Sequence, residues 1–192
     1  MARGNRTIPT RPSSLDLFAV LFGGAVAVLP IFAKEVLNAG PQGLGVLRAA
    51  PAVGSVLMGI TLAHLPPLRR AGRTLLVCVA AFGVFTIAFA LSRSFLLSLL
   101  LLAASGAVDN VSVVLRSTLL QILTPEHMLG RVSSVNQIFI GSSNEIGAFE
   151  SGLAARFMGL VPSVVFGGCM TLLVVAFTTW KVPELRKLDR IQ

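Results

Sequence analysis

An all-α integral membrane protein, a six-transmembrane-helix bundle in a three-plus-three arrangement, is the fold class this sequence predicts. Three observations predict it. Charged residues make up 12% of the 192 positions, where a soluble domain carries about 25%, and 54% are hydrophobic, with a mean hydropathy of +0.83. Apolar runs long enough to cross a bilayer, roughly 20 residues, recur along the chain. Between them lie short segments built from Pro, Gly, Asn, Ser and Arg, the residues that turn a chain.

The elements follow in order. Residues 1–13 form a polar tail with Arg3, Arg6, Arg11, Pro9 and Pro12, and without the apolar stretch of a signal peptide. Ser13 or Ser14 can cap a first helix over 14–37, in which Pro30 predicts a kink that membrane helices tolerate. Asn38 to Gln42 read as a turn. A second helix over 43–65 has Arg48 near its start and Pro51 within it, and a basic loop follows over 66–73. A third helix over 74–91 is apolar apart from Cys78 and Thr86, as expected of a helix facing lipid. Ser92-Arg93 turns the chain into a fourth helix over 94–123. Thr124 to Gly130 leads to a fifth over 131–158, Gly159 to Pro162 reads as a tight turn, and a nearly all-apolar sixth helix covers 163–180. A basic tail, 181–192, ends the chain.

Six crossings place both termini on one side. Of the sixteen Lys and Arg, twelve then fall on that side: Arg3, Arg6, Arg11, Arg69, Arg70, Arg73, Arg116, Arg131, Lys181, Arg186, Lys187 and Arg190. Lys34, Arg48, Arg93 and Arg156 remain for the other. Positive charge stays in the cytoplasm, so the termini are expected there, with the protein multi-pass in the inner (plasma) membrane. The same asymmetry accounts for the net charge of +8, which in a soluble protein would suggest nucleic acid; no nucleic-acid module is present. Cys78 and Cys169 stand singly in apolar runs and read as small core residues. No metal-ligand spacing, phosphate-cradling glycine loop or nucleophile–base pair is found, so neither a cofactor nor an enzymatic activity is expected.

The third and sixth helices are plain. Glycine, proline and charge concentrate in the other four, the pattern of inverted-repeat transporters. On the fourth, Ser105, Asp109, Ser112 and Arg116 recur at i, i+4, i+7 and i+11 and so share one face, widened by Gly106, Asn110, Ser117 and Gln121. Charge at membrane depth is costly and usually faces a protein interior or a water path. Asp109 there suits a group that takes and releases a proton; polar glue between helices is the structural alternative. Arg116, about 10 Å nearer the cytoplasm, either attracts anionic groups or reads as a snorkelling or gating cation. On the fifth helix Gln137, Gly141, Asn144, Ala148, Ser151 and Ala155 form a small, polar stripe flanked by Glu145 and Glu150. Phe139, Ile146, Phe149, Leu153 and Phe157 form the opposite face. Glu145 and Glu150 are candidates for proton coupling or substrate contact, and Arg48 is a candidate partner for Glu150 or Asp109.

The ordered motifs carry a resemblance. They are Leu15-Asp16-Leu17 through Gly23-Gly24 with Leu29-Pro30; Gly43-Leu44-Gly45 through Arg48-Ala49-Ala50-Pro51; Arg69-Arg70-Ala71-Gly72-Arg73; Val113-Val114-Leu115-Arg116-Ser117 leading to Thr124-Pro125-Glu126; Gly130-Arg131-Val132 through Asn136; and Asn144-Glu145-Ile146-Gly147. Together they resemble the C-terminal six-helix half of major facilitator superfamily (MFS) transporters, nearest the drug-efflux and siderophore branch of enterobactin-exporter-like proteins. The likeness covers 14–190.

It implies an MFS-type transporter half in the cell membrane, an antiporter for proton-coupled export of a small molecule such as a drug or siderophore. Arg69, Arg70, Gly72, Arg73, Glu126 and Arg131 would be its gating and topology loops. The implied partners are the lipid bilayer, a small-molecule substrate and a second six-helix half, supplied by a separate chain or a second copy. Two departures, one half in place of two and a polar, proline-containing lead into the first helix, bring in an alternative: a truncated relic, or a structural partner docking on another transporter half.

The topology has a direct check. In a background with Cys78 and Cys169 replaced, cysteines near Asn38 or Arg93 should react with an impermeant thiol reagent applied outside, and one at Ala71 should not. The reverse pattern would sink the orientation.

Overall fold

The computed structural model describes residues 28–65 and 71–181, and every regular element among them is helical. The polar tail 1–13, the first helix before Val28 and with it Asp16, the loop arginines Arg69 and Arg70, and the tail beyond Lys181 lie outside the described residues.

Among the described residues six α-helices follow one another: α1 Leu29–Glu35, α2 Pro41–His64, α3 Ala71–Leu91, α4 Phe95–Leu123, α5 Leu129–Met158 and α6 Leu160–Lys181. A single 3-10 turn, Glu126–Met128, joins α4 to α5. The all-α membrane bundle is therefore the observed fold. α2, α3, α6 and the Phe95–Thr118 part of α4 are each long and apolar enough to cross a membrane. α5 has the length, 30 residues, but Asn136, Gln137, Asn144, Glu145 and Glu150 make it too polar to face lipid all round.

Helix ends depart from the sequence reading by a few residues, each for a local reason. Pro30 lies in the first turn of α1, where its missing N–H is not needed. Pro41 opens α2 behind Gly40 in extended conformation, so the turn is confined to Val36–Gly40. Asn38 makes it with φ 48°, in the left-handed region that asparagine tolerates better than most residues. Gly72 and Arg73, read as loop, belong to the first turn of α3, because the breakers Pro66 and Pro67 lie upstream. Arg131 likewise lies in the first turn of α5, which the 3-10 turn starts at Leu129. Gly159 alone, at φ 89°, reverses the chain into α6; Pro162 is accommodated in that helix's first turn.

The helices pack as a row. α2 lies on α4, α4 on α3, α3 on α6 and α6 on α5, while α1 packs on α2. The main core sits where α1 ends, α3 ends and α4 begins. Val28, Leu29, Phe32 and Ala33 of α1 meet Leu47 and Ala50 of α2, Phe89 and Ala90 of α3, Leu102 of α4 and Val164 of α6. Phe32 and Phe89 stack at a ring-centroid distance of 4.5 Å, within the range of favourable aromatic pairs. A smaller cluster toward the other end joins Leu75 and Cys78 of α3 to Val111 and Leu115 of α4. Buried hydroxyls in this apolar setting bond within their own helix: Thr86 donates to the Phe82 carbonyl and Thr171 to that of Gly167, at 2.9 and 3.0 Å.

Between the two clusters the α2 and α4 backbones touch. A Cβ on Gly54 would collide with the Ala103 carbonyl, and one on Gly106 with the Pro51 carbonyl. Only glycine allows such an approach. Gly54→Ala or Gly106→Ala should each lower stability by about 1–3 kcal/mol or more through overpacking. Gly45→Ala, where nothing lies within 4 Å of the added methyl, should be nearly neutral. Thermal unfolding of the purified variants in detergent checks the contrast; equal melting temperatures for Gly45→Ala and Gly106→Ala would contradict it.

Candidate transport site

The fourth helix carries the densest polar face inside a spanning segment. Its upper part is built into the core: Ser98 is fully buried, and Ser105 is buried with its Oγ donating to the Leu102 carbonyl at 2.8 Å. One turn on, Asp109 is exposed. Ser112 is buried again, and its Oγ has no hydrogen-bond partner among the described residues. An unsatisfied buried hydroxyl typically costs about 1–3 kcal/mol. Arg116, half-buried, donates from Nε to the Ser112 carbonyl at 3.2 Å. Its Nε therefore lies back along α4, on the face that carries Asp109, as the tilt of helical side chains favours.

The stripe read from the sequence as one broad face divides in the structure. Asn110 is turned to α2, where its Nδ2 donates to the Ser55 carbonyl at 2.9 Å. Gly106 is absorbed by the α2 contact, its carbonyl accepting from Ser55 Oγ at 2.9 Å. Ser117 bonds its own helix, at the Val114 carbonyl. Of the four residues at i, i+4, i+7 and i+11, Asp109 is exposed and Arg116 half-buried, while Ser105 and Ser112 are buried. Ser55 and its two interhelical bonds were not singled out in the sequence. The signal available there was the Pro51-x-x-Gly54-Ser55 run, whose small residues permit a close neighbour.

Arg48 makes no ion pair with Asp109 or Glu150 among the described residues. The helix geometry explains why. α2 and α4 run parallel, with Ser55 bonded to both Gly106 and Asn110. Arg48 is seven residues before Ser55 and Asp109 three beyond Gly106, about 15 Å apart along the axes. Arg48 is also exposed, and α5, which carries Glu150, packs on α6.

On α5 the side against α6 is small. Ser143 and Gly147 are buried there, and Ala155 reaches the main core. Asn144 and Glu145 are exposed and Glu150 is half-buried. The apolar residues Phe139, Ile146, Phe149, Leu153 and Phe157 are exposed as well, Phe149 at 73% and Phe157 at 77%. α5 thus has three sides: one packed, one polar and open, one apolar and open. The first two suit a neighbour and an aqueous path, the third lipid. Among the loop residues, Arg73 and Arg131 are exposed, Gly72 is buried, and Glu126 begins the 3-10 turn.

With this arrangement in place, the comparisons with known proteins are specific. A family model described as transmembrane secretion effector, of the MFS type, matches residues 13–192. The chain belongs to this MFS exporter family. Among its relatives are the enterobactin exporter EntS of Citrobacter koseri, 30% identical over 144 residues, and that of Salmonella typhimurium, 28% identical over 169. The alignments cover 75% and 88% of this chain, and 35% and 41% of those exporters. EntS of Shigella flexneri is 30% identical over 146 residues. The chain therefore spans about two-fifths of the length of the curated relatives it matches. No solved structure matches it. The family is one of membrane transporters, and the chain is a multi-pass membrane protein.

The division of α5 into packed, polar and apolar sides has a direct readout. Cysteine at Asn144 should react with a water-soluble thiol reagent in membranes, and cysteine at Ser143 should not. Equal protection of both would show the polar side closed off.

Proposed function

We propose that this chain is one six-helix body of an inner-membrane exporter that moves a small amphipathic molecule outward in exchange for protons. In this reading both tails, residues 1–13 and those after Lys181, are cytoplasmic. A second six-helix body faces the polar sides of α4 and α5, and alternating access arises from the two bodies rocking about the path between them. The observation that carries the proposal is the placement of Asp109, exposed on the polar face of a membrane-spanning helix with Arg116 two turns away and its Nε lying back along the same face. A carboxyl in that position is a functional residue by default. Asp109 takes up and releases the proton, while Arg116 attracts the anionic groups of a substrate. Asn144, Glu145 and Glu150 line the opposite part of the path, and Arg48 contributes charge nearer the outer end. Arg69, Arg70, Gly72, Arg73, Glu126 and Arg131 mark the cytoplasmic loops and helix starts, where they set topology and gate the path. The names of the relatives support a siderophore-like or drug-like cargo.

The alternative is a relic or a docking partner without transport of its own. One experiment separates the two. The chain is expressed alone and with a second half, and proton-driven efflux of a fluorescent amphipathic dye is followed in everted vesicles. Efflux is expected in at least one arrangement and should fall at least about tenfold with Asp109→Asn, which keeps size and hydrogen bonding but cannot titrate. Unchanged transport in Asp109→Asn with loss in Glu145→Gln would move the coupling role to α5. Absence of efflux in every arrangement would favour the relic.

A further inference from the structure

We propose that the crossing of α2 and α4 is a fixed joint, so that these helices move as one rigid body while α5 moves separately on α6. Three observations at the crossing point to it. The backbones are in contact at two reciprocal places, Gly54 on Ala103 and Gly106 on Pro51, with no side chain between them to slide or change rotamer. Two hydrogen bonds tie the same turns across the gap. Ser55 Oγ donates to the Gly106 carbonyl and Asn110 Nδ2 to the Ser55 carbonyl, each at 2.9 Å. Ser55 therefore both gives and receives, which fixes rotation as well as separation. Pro51 lies within the same turn of α2. Having no N–H, it cannot bond the Leu47 carbonyl, and a helix loosened at that point is braced from outside by α4.

The attachment of α5 is of another kind. It packs chiefly on α6. Its serines 134 and 143 bond carbonyls of their own helix. At one end it is joined through the 3-10 turn Glu126–Met128, and at the other through Gly159, whose φ of 89° is open to glycine alone at low cost. A helix packed among the described residues chiefly on α6, with only Ala155 reaching the main core, and joined by two pliant connections opens at lower free energy than one locked by backbone contact. The joint then keeps Asp109, Ser112 and Arg116 in constant relation to α2 whichever side of the membrane the path faces. Within this body, changes at the path that add to the rocking of the two bodies come from the α5 side. This inference does not depend on what is transported or on the coupling ion.

Hydrogen–deuterium exchange of the full chain in lipid nanodiscs tests it without a transport assay. Amides of residues 51–58 and 103–110 should exchange at least roughly tenfold slower than those of 143–150. In Ser55→Ala/Asn110→Ala both α2 and α4 segments should speed up together, several-fold, with 143–150 unchanged. Should that variant not fold, Ser55→Ala alone is read the same way, since Asn110 still donates to the backbone carbonyl. The proposal is overturned if 51–58 or 103–110 exchanges as fast as 143–150, if only one of the two helices responds, or if α5 accelerates equally.

Discussion

Where α2 meets α4, Gly54 and Gly106 remove the side chains that would keep two helix backbones apart, and much of the bundle depends on that contact. In a bilayer there is little hydrophobic drive for one apolar helix to prefer another over lipid. Close van der Waals packing and interhelical hydrogen bonds must hold them. The crossing supplies both at one level of the membrane. The two apolar clusters lie on either side of it, one around Phe32 and Phe89 and one around Leu75 and Leu115. α3 completes both clusters and carries α6 through a second glycine contact, at Gly83 and Gly168.

Polar groups elsewhere obey the same rule of internal satisfaction. The threonines of α3 and α6 bond carbonyls one turn back and leave their helices apolar outside. Asp109, Arg116, Asn144 and Glu145 are the exceptions that matter, because they are exposed or half-buried within a membrane protein. Groups of that kind are retained where water, substrate or a second protein body meets them. The open polar sides of α4 and α5 are compatible with membership of a transporter family, since a path through the bilayer needs polar walls.

The polar content of α5 also limits where it can sit. A 30-residue helix spans about 45 Å, more than the hydrocarbon core needs, and three aromatic residues, Phe139, Phe149 and Phe157, give it one side fit for lipid. Its Ser143–Gly147 side is occupied by α6. The side with Asn144 is left open, and Glu145 lies at its border, about 100° further round the helix.

Much was legible in the residues themselves. Run lengths and composition determine the all-helical membrane class, since only helices and closed barrels satisfy the backbone in lipid. Proline and glycine place the breaks to within a few residues. Asp109 and Arg116 stand out by charge alone in an apolar run. Periodicity could not decide which residues of a polar stripe face which neighbour. Gly106 lies about 60° and Asn110 about 100° from Asp109 on the helical wheel, and both were taken by α2, because a backbone contact at Pro51 and a carbonyl acceptor at Ser55 were available there. Arg48 was a plausible partner for Asp109 or Glu150 by depth, but the parallel register of α2 and α4 and the placement of α5 on α6 keep them apart. The sequence by itself determined that these helices form and which residues are costly to bury. Which of those residues meet was decided by the tertiary structure, since relative register and rotation depend on a few close contacts between helices far apart in the chain.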